Sequence, residues 1–183
     1  VIDAWLQTLD EGVVPQFWAL GNIPIEGPVA RLINYSAAAR GMKSAAVLPY
    51  ERPYLTRHLG GFAGHCEKVV SRSRHQDINR NLRRLRELGE VTFERAVEPA
   101  EVAKRLEQFL EMERSGWKGR YGTAFLCNPD QADFARRALG DTQNPASRSA
   151  IDSLLLDGVP IAMSVNLVSG RTMFTPKCTY DEQ

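Results

Sequence analysis

The chain has 183 residues, of which 43% are hydrophobic and 25% charged, with a formal net charge of +1. That composition supports an ordinary buried core without disulfide staples. Near-neutrality also excludes a global field that would draw the protein to nucleic acid or to a membrane.

Cys66, Cys127 and Cys178 are odd in number, widely spaced and form no CxxC pair, so they signal neither a metal cage nor a disulfide framework and fit a reducing compartment. No apolar run approaches the roughly 20 residues of a membrane helix. The expectation is a cytoplasmic protein without a membrane span. Val1 is not Met and the first residues read as helix interior, so the sequence looks cut at both ends.

Ile2, Trp5, Leu6 and Leu9 give a short helical stripe that Asp10-Glu11-Gly12 ends. Phe17–Leu20 reads as a buried strand. Gly27-Pro28 opens a helix with apolar positions Val29, Leu32, Ile33 and Ala37, and Gly41 is placed to cap it. Ala45–Leu48 reads as a second buried strand, and Tyr54–Leu59 as a strand facing the second half of the molecule.

Glu67 to Leu88 is the most basic stretch. Ile78, Leu82, Leu85 and Leu88 recur at i, i+4, i+7 and i+10, one face of a helix that Gly89 terminates. Val91–Ala96 alternates as a strand. Glu98-Pro99 starts a helix carrying Val102, Leu106, Phe109, Leu110 and Met112, and Pro129 starts another carrying Phe134, Ala138 and Leu139 up to Gly140. Ala150–Leu156, Pro160–Val168 and Arg171–Thr179 are then three strands joined by Asp157-Gly158 and Ser169-Gly170, both two-residue hairpin signals.

Several of these stretches occur together, and in this order, in one known group of proteins. Ser73–Gly89 resembles the basic helix that precedes the C-terminal domain of FemAB/CelD-like acyltransferases of the GNAT superfamily. Trp117-Lys118, Leu155–Ala162, Phe174 with Lys177, and Tyr180-Asp181-Glu182 follow in the same succession. Residues 1–60, with Leu20–Pro24 and Gly27-Pro28, look like the tail of a preceding half-domain. In that group a Ser-Pro-Gly-like turn and a helix follow the Tyr-Asp-Glu segment, and these would lie beyond Gln183.

The resemblance implies an α/β (α+β) fold with a mixed, mainly antiparallel sheet flanked by helices, in tandem half-domains. Residues 1–62 would close the first half, 63–89 would be a basic linking helix, and 90–183 would open the second GNAT domain. The implied activity is N-acyl transfer from acetyl-CoA or another acyl-CoA to an amine on a small molecule, glycan or peptide, with exopolysaccharide or cell-envelope synthesis as the setting.

The pantetheine arm would pair with the last strand, near Phe174, Cys178 and Thr179, as peptides add to open sheet edges. Tyr180, Asp181 and Glu182 become candidates for proton donor, base or ammonium partner. Trp117 would stack on the acceptor from a glycine-flanked lid, with Lys118 meeting an acidic group, while Lys177 either contacts substrate or sits on an exposed strand face. Arg80, Arg83 and Arg84 are candidates for gripping a substrate phosphate, against the plainer reading of a solvated amphipathic helix.

Two alternatives stay open. One is FemAB-like transfer from aminoacyl-tRNA; the other is a non-catalytic module binding a phosphoglycan or lipid headgroup through the arginines. A nucleic-acid partner is otherwise not expected, because no aromatic platform interleaves with the basic residues. His58, His65 and His75 lack ligand spacing, so no metal is predicted. No GxSxG elbow is present.

Overall fold

A computed structural model describes residues 19–21, 23–47, 49, 51, 54–56, 58–140 and 148–182, together with Ala4 and Gln7. The chain divides into two compact units, residues 1–57 and 58–183.

In the first unit, helix α1 (Pro28–Ala39) has proline in its first turn. It closes as the sequence leads one to expect. Gly41 takes φ +70°, its N–H donates to the Ala38 carbonyl, and the Met42 N–H donates to the Ala37 carbonyl. This is a Schellman closure, which needs a left-handed residue after the cap and so favours glycine. The strand expected at 45–48 does not form: Ala45–Val47 are exposed and irregular, and Leu48 lies outside the described residues. Of the strand expected at 54–59, Tyr54–Thr56 are exposed and irregular, His58 and Leu59 form no strand, and Arg57 lies outside the described residues. Apolar runs of this kind need a paired neighbour, and none is present among the described residues. Phe17 and Trp18, and most of the first expected helix, fall outside the described residues, while Ala19 and Leu20 have no regular structure.

The second unit opens with α2 (Gly61–Val69) and α3 (Arg72–Leu88). The single basic helix expected from 63 onward is therefore two helices. Val70 is extended, and Ser71 restarts the helix by accepting the Arg74 N–H at its Oγ. No residue of α3 is buried; Ile78 and Leu88 are exposed, and Leu82 and Leu85 half-buried.

Strand β1 (Val91–Ala96) leads into α4 (Pro99–Ser115), a short helix α5 (Trp117–Arg120) and a 3-10 turn (Phe125–Cys127). Next come α6 (Pro129–Ala135), capped by the Asn128 side chain, and a π turn (Arg136–Gly140). The chain finishes in β2 (Arg148–Leu156), β3 (Val159–Ser169) and β4 (Thr172–Tyr180).

These four strands form one antiparallel sheet in the order β1-β2-β3-β4. Asp157 (φ +49°) and Gly158 (φ +79°) make the β2–β3 turn, the doubly left-handed geometry that an Asp-Gly pair accepts readily. On one face, Ile151, Met163 and Val165 pack under Val102, Leu106, Phe109 and Leu110 of α4, with Ala135 and Leu139 completing the core. The expected mixed fold, with its antiparallel sheet and flanking helices, is what the chain forms. No helix among the described residues is long and apolar enough to cross a membrane.

Candidate functional site

Strand β4 does not alternate simply. Val165 pairs with Lys177 and Leu167 with Phe174, so Thr175 and Pro176 together stand opposite Asn166. Proline has no N–H for the ladder, which accounts for a bulge at this point. Simple alternation would put Lys177 with Thr175 and Thr179, and Phe174 with Pro176 and Cys178; the bulge changes this. Phe174, itself exposed, stands opposite Leu167, which packs against the core, and so shares a face with Lys177 and Thr179. Thr175 falls on the other side with Cys178 and Tyr180.

A polar chain runs across that second side, one residue per strand. Arg95 grips Asp152 through two bonds of 2.6 and 2.7 Å, Asn166 Nδ2 reaches Asp152 at 3.2 Å, and Thr175 Oγ1 donates to Asn166 Oδ1 at 2.6 Å. The Asp152 carboxylate holds the Arg95 guanidinium above its usual pKa.

Beyond the bulge, β4 meets the corner where α4 turns into α5. Glu113, in the last turn of α4, is fully buried at 0% exposure. Its Oε1 forms an ion pair with Lys177 Nζ at 2.9 Å and accepts from Lys118 Nζ at 3.5 Å, and its Oε2 accepts the Phe125 N–H at 2.8 Å. Lys177 also donates to the Thr123 carbonyl at 2.9 Å and lies 3.8 Å from the centre of the Phe125 ring. Lys118 donates to the Cys178 carbonyl. The side chains of Lys118 and Lys177 are only 17% and 24% exposed.

A second tie lies beside the first. The Glu182 carboxylate accepts the Trp117 N–H at 2.9 Å and Arg120 at 2.6 Å. Arg120, then the Trp117 amide, pull the Glu182 pKa below the usual carboxylate value. Trp117 packs edge-on against Tyr121, with ring centres 6.2 Å apart.

The structure thus gathers Trp117, Lys118, Lys177, Cys178 and Glu182 at one end of β4. Tyr180 and Asp181 continue the same stretch, with Tyr180 exposed and the Asp181 N–H donating to the Ile161 carbonyl. Thr179 is buried at 7% and, by strand alternation from Asp181, turns its backbone toward β3. Arg80, Arg83 and Arg84 are elsewhere, on α3, where Arg80 pairs with Asp77 at 2.8 Å and Arg83 lies 3.9 Å from Glu87.

Glu113 is the residue that sequence reasoning missed. It follows Val102, Leu106, Phe109 and Leu110 on the buried stripe of α4, and a carboxylate on such a stripe demands a cationic partner. No group of three or more His, Cys, Asp or Glu suited to a metal ion occurs among the described residues.

A family model described as an acetyltransferase (GNAT) domain matches residues 72–183. That span starts at α3 and takes in the whole sheet. No curated protein matches the chain.

Proposed function

The chain belongs to the GNAT acetyltransferase family, and from that premise we propose that it transfers an acyl group from acyl-CoA to an amine acceptor. What supports this reading best is the outer edge of β4, which has no strand partner among the described residues and lies against the α4–α5 corner. An open edge offers backbone groups to which the amides of a pantetheine arm can pair as an added strand. The Tyr180 backbone and the Cys178 N–H face outward there, the Cys178 carbonyl being held by Lys118, with Phe174 on the near side of the bulge; Thr179 supports the edge from within.

In this reading the acceptor amine gives up its proton to Asp181, attacks the thioester carbon, and the departing thiolate takes a proton from the Tyr180 phenol. Holding the reactants in line supplies the larger share of the rate, about 7–11 kcal/mol of barrier, and the proton transfers about 10²–10⁴-fold. Glu182, held ionised by Arg120, acts as a strut that fixes Trp117 beside the acceptor.

We assign the chain to the FemAB/CelD-like branch, acting in the cytoplasm in exopolysaccharide or cell-envelope synthesis. Residues 1–62 close a preceding half-domain, 63–89 link it, and 90–183 open the catalytic domain. Transfer from aminoacyl-tRNA is the alternative donor chemistry.

A second, non-catalytic reading draws on α3, none of whose residues is buried and which carries Arg80, Arg83 and Arg84 outward. There the protein holds a phosphoglycan or lipid headgroup. Thiol release from acetyl-CoA, measured with a panel of amines, decides between them. Acceptor-dependent release supports the transferase; phosphoglycan binding without thiol release supports the binding module.

A further inference from the structure

The two lysines around Glu113 are not equivalent. An ammonium has three N–H donors. Lys177 donates to the Thr123 carbonyl, lies 2.9 Å from Glu113 Oε1 as an ion pair and sits 3.8 Å from the centre of the Phe125 ring. Lys118 meets two acceptors, Glu113 and the Cys178 carbonyl. Its third donor bonds no oxygen among the described residues; the Trp117 ring lies nearby, its centre 5.7 Å from Nζ.

The place of that donor follows from strand geometry. The Asp181 N–H donates to Ile161 on β3, so backbone groups of alternate residues, Cys178 and Tyr180, point away from β3. The Cys178 carbonyl that Lys118 holds is therefore on the open edge. At this point the edge no longer presents a carbonyl acceptor. It presents a positively charged donor, held at the boundary of a poorly solvated corner by a fully buried carboxylate.

A fixed cation beside an open strand edge favours an oxygen that gains negative charge. We infer that Lys118 is a further catalytic residue, donating a hydrogen bond to the acyl carbonyl oxygen as the acceptor amine adds, with Glu113 as the residue that positions it. The inference rests on the acyl-transfer reading above. As the C–N bond forms, the carbonyl π pair moves onto oxygen, where the Lys118 N–H stabilises it. The C=O bond then re-forms, the C–S bond breaks, and the thiolate leaves. Lys118 keeps its proton throughout.

The test compares the wild type with Lys118→Met, Lys118→Arg and Glu113→Gln in acceptor-dependent thiol release from acetyl-CoA. Lys118→Met is expected to lower kcat about 10²–10³-fold, the usual loss of an oxyanion donor, with KM for acetyl-CoA unchanged. Lys118→Arg, which keeps charge and donors and so guards against a folding defect, restores part of kcat. Glu113→Gln lowers kcat in the wild type and adds nothing in the Lys118→Met background.

Unchanged kcat in Lys118→Met, or a rise in KM at constant kcat, overturns the assignment. So does a Glu113→Gln effect that is additive with Lys118→Met, which would mark a purely structural carboxylate. A wild type without any acceptor-dependent release sinks the acyl-transfer reading itself, and the assignment with it. A wild type that turns over beside an equally active Lys118→Met sinks the lysine alone.

Discussion

Gly119 shows how closely one residue constrains the α4–α5 corner. A Cβ built there would lie 1.7 Å from the Arg114 carbonyl oxygen, a backbone atom that has no rotamer to escape into. The absence of a side chain lets α5 fold back against the end of α4, and this brings Lys118 to Glu113. Gly119→Ala should destabilise by about 1–3 kcal/mol through overpacking, read as a lowered urea midpoint with unchanged slope; an unchanged midpoint would show that the corner yields easily. Glu182 makes a complementary prediction through pH. Its folded pKa is depressed below the usual 4.5 by Arg120 and the Trp117 amide. The stabilisation it gives is therefore fully present above the unfolded value and fades as pH falls through the folded one. Unfolding measured across that acidic range should show a shallower loss of stability in Glu182→Gln than in the wild type. Equal slopes would mean that the tie to Arg120 is spent in solvent.

At the scale of elements, β4 carries its bulge at Thr175 and Pro176, and Thr175 ends the polar chain that crosses the sheet. Asn166 is 1% exposed and bonds to Asp152, Ser164 and Thr175. Asn166→Ala removes the centre of that chain, and the part-buried Asp152 carboxylate and the Thr175 hydroxyl each lose a partner, which costs about 1 kcal/mol. Denaturant unfolding measures the loss, and amide exchange across residues 172–180 should quicken more than across β2; uniform exchange would separate the bulge from the chain. Most of this sheet was legible from alternation and from the Asp157-Gly158 turn, because those signals are local. The bulge was less so: Pro176 stands in plain view, yet a simple alternation puts Thr175 beside Lys177, and only the register places it with Cys178. Glu113 was legible in principle, as a carboxylate on an apolar stripe, but its partners lie 5 and 64 residues away, and no periodicity reports such contacts. The runs at 45–48 and 54–59 misled for the opposite reason, since an apolar run states a preference without supplying a partner.

Charge is uneven across the whole molecule. The net charge is +1, yet α3 alone holds six arginines against two carboxylates. The rest of the chain must therefore be acidic enough to offset it, so an approaching anion meets a localised basic surface and not a general field. Asp77 and Glu87 engage Arg80 and Arg83 only at solvent-exposed sites, where ion pairs contribute little. The guanidinium groups can exchange those partners for a phosphate at small cost, and a phosphate offers bidentate acceptors that suit arginine. If the acceptor carries a phosphate, reversing Arg80, Arg83 and Arg84 to Glu should raise its KM strongly while leaving KM for acetyl-CoA unaltered. The wild-type acceptor KM should also climb with salt, because exposed charges are screened within about 10 Å at 0.1 M ionic strength, and the reversed variant should lose or invert that dependence. Acceptor kinetics at two salt concentrations check both points. A KM for the phosphorylated acceptor that ignores both the salt and the reversal would leave α3 as a solvated helix and move acceptor recognition wholly to the end of β4.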